Sequence, residues 1–77
     1  MMNCIIIDDE PLAVELMADN VSKVPSLNLV ATCNGPAEAI SVLNEKKIDL
    51  IFLDIEMPDI TGVNFLKMLN VKPMVIF

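Results

Sequence analysis

Four short apolar runs divide the chain, and longer segments with helical periodicity separate them. The runs cover residues 4–7, 27–33, 50–53 and 74–77. Continuous apolar runs of this length, bounded by polar residues, are typical of strands buried on both faces of a parallel sheet. Residues 27–33 alternate in part between apolar and polar, which favours the edge of the sheet over its centre.

Three segments between these runs carry apolar residues at the spacing of a helix face. In the first segment they are Leu12, Ala13, Leu16, Met17, Val21 and Val24. In the second they are Ala37, Ile40, Val42 and Leu43, and in the third Val63, Phe65, Leu66 and Leu69. We expect these residues to form the buried faces of three helices, with Pro11 and Pro36 in the first turns of the first two.

The predicted elements alternate as strand, helix, strand, helix, strand, helix, strand. This order, with its short connections, predicts a doubly wound α/β fold in which helices cover both faces of a parallel sheet ordered 2-1-3-4. A chain of 77 residues is long enough for at most one domain. Because the chain ends at Phe77, inside the fourth predicted strand, we expect that domain to be incomplete.

Composition predicts a cytoplasmic protein that does not associate with membranes. Although 55% of the residues are hydrophobic, no uninterrupted apolar stretch approaches the ~20 residues that cross a bilayer. The first residues also lack the basic start and the cleavage site of a signal peptide. Cys4 and Cys33 lie in separate apolar runs, and we expect them to be buried free thiols in a reducing compartment.

The charge of the chain narrows the possible chemistry. The chain has eleven acidic residues, five lysines and no histidine, which gives a net charge of −6. This balance argues against direct nucleic-acid binding by this segment, because such binding requires clustered cations. Histidine catalysis and histidine metal ligands are excluded within these residues. Any metal bound by their side chains must be a hard cation held by oxygen.

Acidic residues follow the first and the third predicted strands. Asp8 and Asp9 come directly after the first, and Asp54 and Glu56 come after the third. Strands one and three are neighbours in a 2-1-3-4 sheet, so Asp8, Asp9 and Asp54 should meet in one crevice at their carboxyl ends. Carboxylates this close repel one another and need a cation, for which Mg²⁺ is the best match to an all-oxygen ligand set.

A simpler interpretation of these acids is also open. Asp8 and Asp9 precede a predicted helix, and a negative charge at a helix N-terminus stabilises it by roughly 0.3–1 kcal/mol. One acid would satisfy that role. Two adjacent acids that meet a third from another strand favour a binding site.

Two motifs resemble a known family. Residues 5–11 (IIIDDEP) and 53–58 (LDIEMP), together with Gly62, resemble the receiver domain of two-component response regulators. The residues of both motifs are most similar to those of the LytTR-type (LytR/AgrA-type) receivers, which precede a LytTR DNA-binding domain. The resemblance covers the whole chain, and it implies a flavodoxin-like fold in which residues 1–77 form the N-terminal part of a receiver domain.

The resemblance implies a role for each acidic residue. Asp54 would be the phosphoacceptor, taking a phosphoryl group from a phosphohistidine of a sensor histidine kinase. Asp8 and Asp9 would hold Mg²⁺, one directly and the other directly or through water. Asp54 itself and the backbone carbonyl of Glu56 would complete the protein ligands. The chain would thus be a signalling module and not an enzyme, controlling a transcriptional output domain outside this sequence.

The chain also departs from the family pattern. Family receivers carry a Ser or Thr after the fourth strand and a Lys after the fifth, and both positions fall beyond Phe77. Lys72 precedes the fourth strand and does not correspond to that lysine. We therefore expect weak phosphorylation of this chain, and self-association as a dimer or by element exchange through an open fourth strand.

Two alternative functions remain open at this point. The chain could act only as an interaction or oligomerisation module, without phosphotransfer. It could also be a hydrolase with an aspartyl nucleophile, for which Asp54 and Glu56 form an imperfect Asp-x-Asp pair.

Overall fold

A computed structural model of the chain describes residues 1–54, 64, 67 and 73–76. Its strands are β1 Met2–Ile7, β2 Leu27–Cys33, β3 Leu50–Leu53 and β4 Met74–Ile76. Its helices are α1 Pro11–Ser22 and α2 Pro36–Glu45. The strands pair in parallel in the order β2-β1-β3-β4, which confirms the predicted topology.

The third predicted helix falls largely outside the described residues. Asn64 and Lys67 are described, and both are helical and exposed. The apolar residues predicted for its buried face, and Phe77 at the end of the fourth predicted strand, lie outside the described residues. Neither α1 nor α2 has the length and apolarity needed to span a membrane.

The central strand β1 is buried on both faces of the sheet. Ile5 and Ile7 pack into the cluster on the side of α2, and Cys4 and Ile6 pack into the cluster on the side of α1. All four side chains are at most 2% exposed. This two-sided burial is the physical reason for the unbroken apolar run in the sequence.

A bulge in β2 explains its irregular alternation. Cys4 of β1 pairs with Leu29, but the next residue of β1 pairs with Ala31, so Val30 is the extra residue. Leu29 before the bulge packs on the side of α1, whereas Ala31 and Cys33 after it pack on the side of α2. The packed side chains of β2 therefore lie on the α1 side of the sheet before the bulge and on the α2 side after it. The bulge lies at the edge of the sheet, where bulges are most easily accommodated.

The predicted buried face of α1 was wrong in its main residues. Leu12 and Leu16 are each 68% exposed, and the helix packs through Val14 and Ala18 together with Val21, which was predicted correctly. Both sets have helical spacing, so periodicity could not choose between them. We attribute the choice to packing, because alanine and valine let the helix lie close to the sheet. The exposed residues of the predicted stripe also include Met17 and Val24.

The predicted face of α2 was largely correct. Ile40, Val42 and Leu43 pack against the core cluster on that side of the sheet. Ala37 is exposed, contrary to the prediction, and Ala39 is fully buried in its place.

Both cysteines are free and buried, as predicted. Burial raises the pKa of the Cys4 thiol above its ordinary value. Burial, helped by the negative charge of Glu38, raises the pKa of the Cys33 thiol to about 11. Thiolate is the reactive form of cysteine, so both thiols are chemically quiet near neutral pH.

Hydrogen bonds fix the strands at the amino end of the sheet. The Asn3 N–H donates to Asp49 Oδ2 at 2.9 Å, and the Asp49 N–H donates to the Asn3 carbonyl at 2.8 Å. The Asn28 side chain donates to Asn3 Oδ1 at 3.1 Å, and the Met74 N–H donates to the Asp49 carbonyl at 3.1 Å. These bonds join all four strands, and the sequence analysis did not anticipate them.

Candidate functional site

The carboxyl ends of β1 and β3 lie side by side and carry the aspartates. The Asp8 N–H donates to the Cys33 carbonyl at 3.1 Å, and the Asp54 N–H donates to the Ile7 carbonyl at 3.0 Å. The hydrogen bonding of the sheet therefore continues one residue beyond each strand. This arrangement places the backbone of both aspartates at the same edge of the sheet.

Three carboxylates meet at this edge. One carboxylate oxygen from each of Asp8, Asp9 and Asp54 lies within 4.8 Å of the others. Asp8 and Asp54 are half-buried, and Asp9 is exposed. The structure thus brings together the three side chains that the sequence placed in one crevice. The roles of these residues in phosphoryl transfer and metal binding remain predictions.

The turn after β1 orients Asp8 and starts α1. The Glu10 N–H donates to Asp8 Oδ1 at 2.9 Å, which restricts the rotation of that carboxylate. Glu10 Oε1 in turn accepts from the Leu12 N–H at 3.4 Å and caps the helix. Pro11 occupies the first helical position, where a missing N–H has no cost. The capping role of Glu10 was missed in the sequence, although an acid directly before a proline at a helix start is a readable signal.

The carboxylate set fits a small divalent cation. Mg²⁺ binds oxygen ligands at about 2.0–2.1 Å. The three carboxylate oxygens fall within 4.8 Å of one another, so Asp8, Asp9 and Asp54 are close enough to hold one small cation together. Carboxylates are also the donors that Mg²⁺ prefers. In the part of the chain that the structure describes, this is the one group of three metal-ligating side chains. Glu56, whose carbonyl was predicted as a further ligand, lies outside the described residues.

A cleft of about 230 Å³ opens beside the carboxylates. Asp8 and Asp54 line its polar end, and Met17, Phe52 and Ile76 are among the apolar side chains that line the rest. Among the described residues, Asp8 and Asp54 therefore border an open space at the carboxyl ends of β1 and β3.

Comparison with protein families gives one match over nearly the whole chain. The model of the response regulator receiver domain matches residues 4–77. This match confirms the receiver-domain resemblance.

Relatives with curated descriptions agree with this match. An uncharacterized response regulatory protein of Shewanella oneidensis is 37% identical over 70 residues, which are 91% of this chain and 30% of the relative. The transcriptional regulatory protein BtsR of Escherichia coli K12 is 33% identical over 79 residues, covering 100% of this chain and 33% of that protein. The chain spans about a third of the length of these relatives. Their descriptions name no LytTR domain and give no support to the predicted subfamily.

Solved structures show the same fold. The response regulatory domain of protein mrkE from Klebsiella pneumoniae superposes with a TM-score of 0.81 at 27% identity, over 96% of this chain and 63% of that one. The response regulator domain of CheB from Thermotoga maritima superposes with a TM-score of 0.78 at 28% identity, over 87% of this chain and 50% of that one. The flavodoxin-like prediction is therefore confirmed.

Proposed function

Because the chain belongs to the response regulator receiver domain family, we propose that it is a Mg²⁺-dependent phosphoacceptor module of two-component signalling, with Asp54 as the phosphoacceptor. The observation that carries the proposal is the meeting of Asp54 with Asp8 and Asp9 at adjacent strand ends. A lone carboxylate would suit a nucleophile but would have no means to offset the charge of an incoming phosphoryl group. The two neighbouring acids provide the place for a cation that does so.

The proposed reaction is a direct transfer between two side chains. A carboxylate oxygen of Asp54 attacks the phosphorus of a phosphohistidine, the new O–P bond forms, and the N–P bond of the donor breaks. The histidine keeps the bonding electrons and takes a proton from solvent. Bound Mg²⁺ would neutralise the negative charge that otherwise keeps carboxylate and phosphoryl group apart. Asp8 and Asp9 would hold it, with Asp54 and the Glu56 carbonyl as the further proposed ligands.

The donor and the output follow from the same proposal. We propose a sensor histidine kinase as the donor, control of transcription as the output, and the cytoplasm as the location. The description of one relative as a transcriptional regulatory protein supports the output. A net charge of −6 supports a role in which this segment does not itself contact nucleic acid. The LytTR class of output domain stays a prediction from the motif wording alone.

A second candidate function is interaction without phosphotransfer. Met74 and Ile76 of β4 are 62% and 48% exposed, and both lie on the same face of the strand. Exposed apolar side chains on a strand favour association with another chain, as a dimer or by exchange of elements. Such a module would bind its partner equally well with or without a phosphoryl group on Asp54.

Phosphorylation by a small donor separates the two functions. The protein is incubated with acetyl phosphate and Mg²⁺, and its intact mass is measured. We expect a gain of one phosphoryl group in the wild type and in Asp19→Asn, an exposed aspartate on α1 that serves as the control, but no gain in Asp54→Asn. A gain that persists in Asp54→Asn would refute the assigned site. Absence of any gain in the wild type would favour the second candidate.

A further inference from the structure

One asparagine of the chain stands directly before a glycine. This is Asn34, which precedes Gly35 between the end of β2 and the start of α2. Each of the other asparagines precedes a residue with a side chain, as Asn28 precedes Leu29 within β2. Asparagine is among the chemically labile residues of proteins. A following glycine favours attack of the main chain on the asparagine amide, because a residue without a Cβ leaves its backbone nitrogen open to close approach.

The structure leaves the reacting groups of Asn34 and Gly35 accessible. Asn34 is exposed. Among the residues that the structure describes, no group forms a hydrogen bond with the side-chain amide of Asn34 or accepts one from the Gly35 N–H. The backbone of Gly35 is extended, with φ −175° and ψ −176°. These hydrogen bonds therefore occupy neither the nitrogen that would attack nor the amide that would leave.

Hydrogen bonds do hold the main chain on both sides of the Gly35 nitrogen. The Asn34 N–H donates to Glu38 Oε2 at 3.4 Å, and the Ala39 N–H donates to the Gly35 carbonyl at 3.3 Å. Both bonds attach this segment to the beginning of α2. Intramolecular attack is favoured where the reacting groups are kept close to one another, and the restricted main chain keeps the Gly35 nitrogen beside the Asn34 side chain.

We propose that Asn34 is a site of spontaneous deamidation in the folded protein, with water as the co-reactant. The Gly35 nitrogen attacks Cγ of Asn34, the new N–C bond closes a five-membered imide ring, and the bond from Cγ to the side-chain nitrogen breaks. The side-chain nitrogen leaves as ammonia with the bonding electrons and with the proton that the Gly35 nitrogen gives up. Water then opens the imide at either carbonyl, which gives aspartate or isoaspartate at position 34.

The products differ from the starting protein in charge, and one of them also differs in backbone length. Either product adds a carboxylate to a chain whose net charge is already −6. Position 34 directly follows Cys33, whose carbonyl accepts the Asp8 N–H at the carboxyl edge of the sheet. Isoaspartate also lengthens the main chain by one carbon atom directly before Gly35. Deamidation therefore adds negative charge to the edge that carries the candidate site.

The test follows the protein over time at mildly alkaline pH, in one sample folded and in another unfolded in urea. Peptide mass spectrometry reports the reaction at each asparagine, and an ammonia assay reports the leaving group. In the folded protein we expect position 34 to gain about 1 Da, with an equal amount of ammonia released and with both aspartate and isoaspartate formed. Asn28 is the internal control and should stay unchanged, because its side chain donates to Asn3 Oδ1 at 3.1 Å.

Two variants test the route of the reaction. Gly35→Ala should slow the mass gain at position 34 by at least about tenfold, because the added Cβ hinders the approach of the nitrogen. This variant should fold normally, since a Cβ at Gly35 meets no atom within 4 Å beyond its chain neighbours and the extended backbone suits any residue. Asn34→Gln should release far less ammonia, because its longer side chain cannot close a five-membered ring. Circular dichroism verifies that both variants fold.

Three outcomes would overturn the proposal. If position 34 stays intact in the folded protein but reacts in urea, the fold protects it. If Asn28 and Asn34 lose their amides at the same rate in the folded protein, the turn before α2 has no selective reactivity. If Gly35→Ala reacts as fast as the wild type, the Gly35 nitrogen is not the attacking group. None of these measurements depends on phosphorylation of the protein.

Discussion

The two ends of the sheet arrange their polar groups in opposite ways. At the amino end, Asp49 Oδ2 accepts a hydrogen bond from the Asn3 N–H at 2.9 Å, and the Asp49 N–H donates to the Asn3 carbonyl at 2.8 Å. At the carboxyl end, carboxylate oxygens of Asp8, Asp9 and Asp54 lie within 4.8 Å of one another. The comparison sets a carboxylate that completes a backbone hydrogen bond against three like charges whose repulsion we expect to lower stability.

Replacement of Asp54 should have the largest effect on function and the opposite effect on stability. Asp54→Asn should abolish phosphorylation completely because the nucleophile is lost. Without Mg²⁺ the same variant should be more resistant to urea than the wild type, since one of three mutually repelling charges is gone. The measurements are phosphorylation by acetyl phosphate and urea unfolding in EDTA. A variant less stable than the wild type in EDTA would contradict the comparison.

Replacement of Asp49 should lower stability. Asp49→Ala leaves the Asn3 N–H without its acceptor, and an unsatisfied, partly buried donor costs about 1–3 kcal/mol. Asp49→Asn keeps a carbonyl oxygen at that place and should lose much less. Urea unfolding of both variants measures the difference. Equal losses in the two would mean that the charge, and not the hydrogen bond, is what the amino end requires.

Addition of Mg²⁺ should reverse the penalty at the carboxyl end. At about ten times the dissociation constant, a ligand that binds only the folded state stabilises it by about 1.4 kcal/mol. We expect a rise of the unfolding midpoint with Mg²⁺ in the wild type and a much smaller rise in Asp8→Asn. Asp49→Asn should respond like the wild type, because its carboxylate is at the other end. Titration of the midpoint against Mg²⁺ concentration measures all three, and an equal response of Asp8→Asn would remove Asp8 from the site.

The buried thiol of Cys33 gives the smallest predicted effect. Its pKa is about 11 in the folded protein against an ordinary value of 9.0, because burial disfavours the thiolate. Between these values the unfolded chain loses the thiol proton and the folded chain keeps it, so stability should fall as the pH rises. Well below pH 9 this group should contribute almost no pH dependence. Urea unfolding at pH 8 and pH 10 in the wild type and in Cys33→Ala measures the effect, and an unchanged slope in the variant would exclude Cys33 as its source.

The strands and their order were predictable, because their sequence patterns favour one kind of structure. The unbroken apolar run of β1 indicates burial on both faces, and therefore a place inside the sheet. The order of the strands then determined that Asp8 and Asp54 would come together, because parallel neighbours end at the same edge. The fold and the acidic cluster follow from these two facts.

Other parts required information that the sequence does not carry. The helix α1 has two stripes at helical spacing, and only packing against the sheet decides that Ala18 is partly buried and Leu16 is exposed. The hydrogen bond between Asn3 and Asp49 joins residues 46 positions apart, and no local sequence pattern predicts it. The contribution predicted for Glu56 lies outside the described residues and stays a prediction.

The place of β1 between β2 and β3 has a consequence for synthesis on the ribosome. β1 can pair early with β2, which follows it closely in the chain, but its other neighbour is β3, and the hydrogen bond from Asn3 to Asp49 closes a sequence separation of 46 residues. Contacts this distant in sequence form late, because they must first close a long loop. The acidic cluster assembles only when β1 and β3 pair, so the proposed Mg²⁺ site cannot form in a nascent chain before these two strands have paired.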